Sequence, residues 1–168
     1  IEKTKSLKPD RLAFYSYAHT PWIKGNGQRG YKEEDIPKDN EKRRLYEVGK
    51  VLLSSNGYHE IGMDHFALET DSLHDAFENG KLHRNFQGYT TQGDSDLLGL
   101  GVSAISMLGD SYAQNAKTLK TYYDAIDAGG LAIARGVQLD RDDHIRRDVI
   151  SRLMCHMALD FSAIEDAH

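Results

Sequence analysis

The order of strand-like and helix-like segments is the feature that most constrains how this chain can fold. The strand-like runs are residues 11–19, 58–68 and 98–107. Segments with helical spacing of their apolar residues follow them, at residues 40–56, 71–80 and 116–127. Asp39 and Asn115 are the predicted caps of the first and third helices. Such alternation favours parallel strands with helices on one or both faces of the sheet, so the sequence predicts an α/β fold.

The pattern changes after residue 139. Asp140 is a good helix cap, and Ile145, Val149 and Leu153 follow it at four-residue spacing. We predict a boundary here, with residues 1–137 in the α/β part and residues 138–168 opening a second, helical domain. The chain begins without Met and stops soon after a helical segment, which indicates a fragment of a longer protein.

Composition excludes several classes of function. A net charge of −5 among 168 residues argues against a nucleic-acid-binding surface. No apolar run approaches the roughly 20 residues that a membrane helix needs. Cys155 is the single cysteine, which rules out an internal disulfide and fits a reducing compartment. The sequence therefore predicts a cytoplasmic protein without a nucleic-acid or membrane partner.

Familiar catalytic and metal-binding patterns are missing or stand in the wrong context. Residues 99–104 (GLGVSA) match a dinucleotide-binding fingerprint, but a polar loop precedes them where a strand is required. Asp64 and His65 end a predicted strand, where neighbouring side chains point to opposite faces, so a structural role is favoured over a shared metal. No histidine spacing is typical of zinc sites. We predict no metal ligand and no catalytic residue within this chain.

The segment HRNFQGY, residues 83–89, is harder to explain by packing alone. Its Arg84 and Gln87 can bind carboxylates or the edges of bases, and its two aromatic rings offer flat surfaces. The glycines at 99 and 101 follow in an apolar run, where small residues let a ligand approach the backbone. Together these features predict a pocket for a flat, polar ligand. The loop at residues 20–37 is long enough to be functional or mobile.

On the segments YSYAH, GMDHFA, LHRNFQGYTTQGDSDLLGLGVSAISM, YAQN and RDDHIRRDVI, the chain resembles the oxygen-independent coproporphyrinogen III oxidases of the radical S-adenosylmethionine superfamily. The resemblance runs from about Arg11 to the end. It implies the second half of a partial (β/α)6 barrel followed by the start of a mostly helical C-terminal domain. The family's three-cysteine motif is absent, so the ligands of its 4Fe–4S cluster lie outside this chain, which is expected to be inactive alone.

The reaction and the site residues also follow from the resemblance. In the family, a 5′-deoxyadenosyl radical derived from S-adenosylmethionine starts the oxidative decarboxylation of two propionates of coproporphyrinogen III, giving protoporphyrinogen IX in haem synthesis; the electron donor and acceptor are unidentified. The resemblance implies that Ala18, Gln87 and Ile105 contact S-adenosylmethionine. Gly99, Gly101 and Ala104 are then expected on or beside an inner barrel strand, with Gln87 and Tyr89 near the same cavity.

Two alternatives remain open at this point. The related haem-chaperone-like branch carries a similar glycine strand and would bind or transfer haem without decarboxylating it. An α/β scaffold that has lost its site is the third possibility. Haem titration and an anaerobic decarboxylation assay separate the three.

Overall fold

The computed structural model describes residues 2–23, 27–30, 32–93 and 95–168. The chain divides into two compact units, the first ending at Asn79 and the second beginning at Gly80. Within the described ranges, every strand pairing is antiparallel. The predicted mixture of helices and strands is therefore confirmed, but the predicted parallel pairing is wrong. Three of the five pairings join strands that follow one another through a short turn, at residues 63–64, 86–87 and 109–110, and a short turn can only return the chain in the opposite direction.

The first unit combines a three-stranded sheet with helices. Its elements are α1 (Glu2–Lys5), β1 (Arg11–Ala13), α2 (Asp39–Ser54), β2 (Tyr58–Gly62), β3 (His65–Leu68) and α3 (Ser72–Glu78), with short 3-10 helices at Gly27–Gly30 and Glu33–Asp35. The strand order is β1-β3-β2. Residues 24–26 and 31, which belong to the predicted long loop at 20–37, lie outside the described residues.

A hairpin replaces the single strand that the sequence predicts at residues 58–68. The chain reverses at Met63 and Asp64, whose φ angles are 39° and 67°. Two-residue hairpin turns with positive φ at both central positions match the twist of the flanking strands. These positions normally carry Asn or Gly, so the Met-Asp pair gave no turn signal in the sequence.

The core of the first unit forms where this hairpin meets α2. Leu53 of α2, Tyr58 of β2 and Phe66 of β3 are buried together, and Leu12, Phe14 and Leu68 pack around them. Phe66 is 0% exposed, and it lies on the central strand of the sheet. Burial of these apolar side chains is the main stabilising contribution in this unit.

The two predicted helices of the first unit are confirmed, with one change in a cap. The side chain of Asp71 accepts a hydrogen bond from the backbone N–H of Leu73 at the start of α3, and it also binds Arg11 of β1. At α2, Lys38 rather than Asp39 takes the N-cap position, and no side chain caps the helix there. A lysine ammonium has donors only, so Lys38 cannot accept from the backbone N–H groups of the first turn.

The second unit contains two small sheets and three helices. Its elements are β4 (His83–Asn85), β5 (Gly88–Thr90), β6 (Ile105–Leu108), β7 (Ser111–Asn115), α4 (Leu119–Asp127), β8 (Ile133–Gln138), α5 (Arg141–His156) and α6 (Phe161–Ala167). The strands β4 and β5 form one hairpin, and β6-β7-β8 form the other sheet. Helix α5 packs against β4.

Two predicted boundaries in the second unit are wrong. The strand predicted at residues 98–107 begins only at Ile105, because residues 99–104 form an irregular loop. Asn115 ends β7 instead of capping a helix, and the side chain of Thr118 caps α4 by accepting from the N–H of Thr121. Both errors concern glycine or polar residues that border a short strand. The sequence had placed residues 99–104 inside a strand and Asn115 at the start of a helix.

The helix predicted after Asp140 is confirmed as α5. The Asp140 side chain accepts from the N–H of Asp143, and the Asp143 side chain accepts from the N–H of Asp140, which completes a capping box. Strand β8 runs through residues 137 and 138, on both sides of the predicted domain boundary. The division into 1–137 and 138–168 stays a prediction.

We expect the stability of the second unit to fall in acid partly through Asp148. Its carboxylate accepts a 2.8 Å hydrogen bond from Nε of Arg152, which lowers the pKa of Asp148 below its ordinary value of 3.8. A lowered folded-state pKa stabilises the fold above the ordinary value, and this contribution is lost as the pH falls below about 3.8. Asp148→Asn should therefore cost about 0.5 kcal/mol at neutral pH and clearly less at pH 2. Urea unfolding at both pH values measures the difference, and an equal cost at both would contradict it.

Candidate functional site

The three residues predicted to contact a cofactor fall in different units. Ala18 belongs to the first unit, whereas Gln87 and Ile105 belong to the second. Each environment is therefore described within its own unit. That the three contact one cofactor remains a prediction.

Ala18 lies in the extended segment that follows β1. Its side chain is exposed, and its carbonyl oxygen accepts a 2.9 Å hydrogen bond from Nε2 of Gln28. The same glutamine accepts from the backbone N–H of Thr20 through its Oε1, at 2.6 Å. At the other end of the segment, the N–H of Phe14 donates to the carbonyl of Asp64 at 2.7 Å. The backbone around Ala18 is thus held at both ends, and a small side chain faces solvent between them.

A cavity of about 920 Å³ lies beside this segment. We call it the α2 cavity, because the first two turns of α2 form one wall. Tyr17 and His19 also line the cavity, as do Glu60 and Asp64 of the β2–β3 hairpin. Its volume is within the range of roughly 300–1,000 Å³ found for ligand pockets. Sequence reasoning missed it, because its walls come from three separate stretches of the chain.

Most charges around the α2 cavity are already paired. Lys38 lies 3.6 Å from Glu33, and Lys50 forms an ion pair with Glu60. Tyr46 Oη donates to Glu60 at 3.2 Å. Burial and hydrogen bonding to Asp64 and Glu60 raise the pKa of Tyr46, so its hydroxyl stays protonated and serves as a donor. The glutamate and aspartate of the hairpin are therefore held by groups of α2.

His19 brings a largely buried polar ring to the lining of the cavity. Its side chain is 8% exposed, and its Nε2 lies 3.9 Å from Glu33. Its Nδ1 is buried and has no hydrogen-bond partner in the described part of the chain. A buried polar atom without a partner is destabilising, and native proteins tolerate few of them.

The turn of the β2–β3 hairpin holds the Asp-His pair noted in the sequence. His65 Nδ1 lies 3.0 Å from the carbonyl oxygen of Met63. Asp64 is hydrogen-bonded to Tyr46. These contacts fit the structural role that the sequence favoured over a metal site.

Gln87 occupies the tight turn between β4 and β5. Its backbone N–H donates to Oδ1 of Asn85 at 2.8 Å, and Gly88 follows with a φ of 129°. The Gln87 side chain is exposed. The turn therefore presents this amide to solvent at the tip of the hairpin.

Tyr89, which was expected beside a cofactor cavity, is buried against α5. Its Oη donates to the carbonyl oxygen of Met154 at 2.7 Å, and burial raises its pKa. The guanidinium of Arg84 lies over its ring, 5.0 Å from the centroid. Tyr89 thus links the β4–β5 hairpin to the helix, and Arg84 covers its ring, in addition to any role toward a ligand.

The glycine loop before β6 is held by polar side chains of the same unit. Asn115 Nδ2 donates to the carbonyls of Gly99 and Gly101, at 3.2 and 2.9 Å. The N–H of Gly99 donates to Oγ of Ser106 at 3.0 Å. The loop leads into β6, whose first residue is the half-buried Ile105.

From the sequence, Gly99 and Gly101 are explained by the close approach of a ligand, but the structure gives a different reason for each. A Cβ on Gly99 would lie 2.6 Å from the carbonyl oxygen of Ile105, so the backbone of the chain itself excludes a side chain there. Gly101 has open space around it but a φ of 98°, a conformation that side chains disfavour. The fold accounts for both glycines without a ligand.

Cluster and metal binding do not fit this chain. Cys155 is its single cysteine, and burial both covers the thiol and raises its pKa. One thiol cannot replace the three thiolates that a 4Fe–4S cluster of this kind needs. Over residues 2–23, 27–30, 32–93 and 95–168, no group of three or more His, Cys, Asp or Glu side chains is placed to hold a metal ion. Nor does any helix in those ranges have both the length and the apolar character needed to cross a membrane.

Two curated relatives of this chain carry the same enzyme name. The chain is 52% identical over 165 residues to the oxygen-independent coproporphyrinogen III oxidase of Escherichia coli, a match that covers 98% of this chain and 36% of that protein. The enzyme of the same name from Synechocystis is 46% identical over 168 residues, covering all of this chain and 36% of the relative. No protein-family model matches the chain.

A solved structure gives the same result. The coproporphyrinogen III oxidase of Escherichia coli, described as a radical SAM enzyme, superimposes with a TM-score of 0.93 at 52% identity. The superposition covers 99% of this chain and 38% of the other. The resemblance found in the sequence is confirmed, and the chain spans little more than a third of the length of the relatives it matches.

Proposed function

Because the chain is homologous over nearly its whole length to a part of the oxygen-independent coproporphyrinogen III oxidases, we propose that it forms part of such an enzyme. The enzyme would oxidatively decarboxylate two propionates of coproporphyrinogen III to vinyl groups in haem biosynthesis. The observation that carries the proposal is the 52% identity across 98% of this chain. Relatives with the same name from Synechocystis and Helicobacter pylori support it.

The residues present in this chain indicate which parts of the enzyme's chemistry it can contribute. The cluster ligands would come from outside these 168 residues, because Cys155 is the single thiol. Bound S-adenosylmethionine would supply the radical chemistry. The contribution of this chain is to bind, to orient and to exclude water. We assign it the second half of a partial (β/α)6 barrel and the start of the helical C-terminal domain, in the cytoplasm.

Ala18 and Ile105 suit contact with S-adenosylmethionine. Ala18 offers a small exposed side chain on a backbone fixed by Gln28, and Ile105 offers an apolar surface at the start of β6. Gln87 offers an exposed amide that can donate or accept. None of the three can move a proton at neutral pH, so their proposed role is to position the cofactor.

A decarboxylation assay tests the proposal. The natural gene product that carries this chain, reconstituted with its iron–sulfur cluster, is incubated anaerobically with coproporphyrinogen III, S-adenosylmethionine and a reductant. We expect protoporphyrinogen IX and carbon dioxide, and we expect neither from the 168-residue chain alone. Stoichiometric haem binding without carbon dioxide release would contradict the proposal and favour the haem-chaperone class.

A further inference from the structure

One face of the sheet β6-β7-β8 carries an arginine that is held in place but not neutralised, and from it we infer a binding site for a carboxylate group of one of the enzyme's two ligands. The arginine is Arg135 of β8, and Gln114 of β7 holds it. The inference rests on the proposed function, in which the ligands are the substrate, with its propionates, and S-adenosylmethionine, with its amino-acid carboxylate.

Ile105, Gln114 and Arg135 form one row across the sheet. Ile105 of β6 lies opposite Gln114 of β7, and Gln114 lies opposite Arg135 of β8. Residues directly opposite one another in antiparallel strands present their side chains on the same face of the sheet. Arg135 therefore shares a face with Ile105, the residue proposed to contact S-adenosylmethionine.

The next row of the same face is apolar. It consists of Met107, Tyr112 and Val137, because residues two apart along a strand point to the same side. The ring of Phe86, from the turn of the β4–β5 hairpin, lies nearly perpendicular to that of Tyr112, with 5.5 Å between the centroids. Val137 is 51% exposed and Phe86 is 56% exposed, so a ligand can reach this row. Neither row contains an acidic residue that would repel an anion.

The side chain of Gln114 fixes the guanidinium of Arg135. Its Oε1 accepts a 2.9 Å hydrogen bond from Nε of Arg135, and its Nε2 donates to the carbonyl oxygen of Ser103 at 3.1 Å. A guanidinium only donates and a carbonyl oxygen only accepts, so these two partners determine which way the amide points. Ser103 is held in turn, because its N–H donates to the carbonyl oxygen of Ala116 at 2.8 Å.

A neutral amide positions a guanidinium without cancelling its charge. Arg135 takes part in no ion pair within the described part of the chain, whereas Arg146 and Arg152 of the same unit each pair with an aspartate four residues earlier. The bond to Gln114 uses only the Nε–H of Arg135, and the terminal nitrogens have no partner among the described residues. The guanidinium thus keeps both its charge and the donors that bind a carboxylate in a bidentate manner.

The two rows together suit a ligand with a carboxylate beside a flat apolar part. The paired donors of Arg135 match the two oxygens of a carboxylate, and Tyr112 and Phe86 offer aromatic surface next to them. Both proposed ligands have this combination, as propionates on a tetrapyrrole or as an amino-acid carboxylate linked to adenosine. The chemistry that they share is the carboxylate, and separate titrations identify which ligand supplies it.

Equilibrium binding to the natural gene product that carries this chain, reconstituted with its cluster, tests the inference. Coproporphyrin III, a stable analogue of the substrate, is titrated by porphyrin fluorescence, and S-adenosylmethionine by equilibrium dialysis, both without oxygen. We expect Arg135→Met to weaken the binding of one of the two about tenfold, the usual effect of losing a charged hydrogen bond. Arg146→Met is the matched control and should change neither, because this exposed arginine of the same unit already pairs with Asp142.

The positioning role of Gln114 is tested by a charge change and by a double-mutant cycle. Gln114→Glu should weaken the same ligand, because the new carboxylate neutralises Arg135. Gln138→Glu adds the same charge on the opposite face of β8 and should have little effect. Gln114→Met should weaken binding roughly threefold in the wild-type protein and not further in Arg135→Met, because it acts through that arginine. Equal losses in both backgrounds would show that Gln114 only supports the fold.

Analogues without the carboxylate identify the group that Arg135 binds. The tetramethyl ester of coproporphyrin III, or S-adenosylmethionine lacking its carboxyl group, should bind the wild-type protein and Arg135→Met equally. Unchanged affinity of Arg135→Met for both ligands, an equal loss for both, or the same loss for the analogue would overturn the inference. If binding depends on Arg135 but the wild-type protein releases no carbon dioxide from coproporphyrinogen III, the carboxylate site stands and the proposed function fails.

Discussion

Replacing Phe66 by alanine is expected to lower the free energy of unfolding of the first unit by about 3–5 kcal/mol. Phe66 is 0% exposed, and it lies on β3, the central strand of the sheet β1-β3-β2. Removing its ring takes away apolar burial and leaves a cavity among Leu53, Tyr58 and their neighbours. Both the lost burial and the unfilled cavity destabilise the folded state. Urea unfolding followed by circular dichroism measures the change.

Leu7→Ala is the matched control in the same unit, because Leu7 is 79% exposed. Its expected change lies within about 0.5 kcal/mol, as for most surface substitutions. Comparable losses in the two variants would mean that Phe66 is not central to the core. A large loss in Phe66→Ala also bears on the α2 cavity, because β3 begins directly after Asp64, one of its lining residues.

The helices could be predicted from the sequence because their signals are local. Asp140 caps α5 as expected, and Gly57 and Gly80 adopt positive φ angles after α2 and α3. Asp39 and Asn115, however, do not cap α2 and α4. The spacing of apolar residues therefore shows that a helix exists, whereas its first residue also depends on the strand or loop that precedes it.

The strands could not be predicted as well, because their limits depend on partners far along the chain. The run at 58–68 mixes polar and apolar residues, and only the pairing of β2 with β3 shows that it turns at Met63 and Asp64. The run at 98–107 is mostly apolar, yet Asn115 of β7 holds its first half in a loop. An apolar run identifies burial, whereas the pairing decides where a strand begins.

The candidate site could not be predicted fully either, because its residues come together only in the folded chain. Ala18 and Ile105 came from the resemblance alone, whereas Gln87 was also noted for the hydrogen-bonding capacity of its amide. The α2 cavity escaped notice, since Tyr17, Lys42 and Asp64 are far apart in the sequence. His19 carried no signal either, because a lone histidine is most often a residue of the packed core. Its unpaired Nδ1 becomes visible only in three dimensions.

Replacing Gly99 by alanine is expected to destabilise the second unit by roughly 3 kcal/mol, although it adds a single methyl group. The new Cβ would lie 2.6 Å from the carbonyl oxygen of Ile105 and 2.8 Å from its carbonyl carbon. These are backbone atoms at the start of β6, and they cannot move aside as the end of a flexible side chain could. Either the loop or β6 must shift, which would break the hydrogen bond from the Gly99 N–H to Ser106. Urea unfolding of the variant measures the loss.

Two glycines of the same unit separate this clash from other effects of adding a side chain. Gly130→Ala should be nearly neutral, because the nearest atom to its Cβ, the oxygen of Ala125, lies at an ordinary 3.5 Å. Gly101→Ala should cost about 1–2 kcal/mol, since space is open around it but its φ of 98° is strained for alanine. The expected order of cost is thus Gly99, then Gly101, then Gly130. If Gly99→Ala were as mild as Gly130→Ala, the close approach of the loop to Ile105 would not exist, and the position of Ile105 would need another explanation.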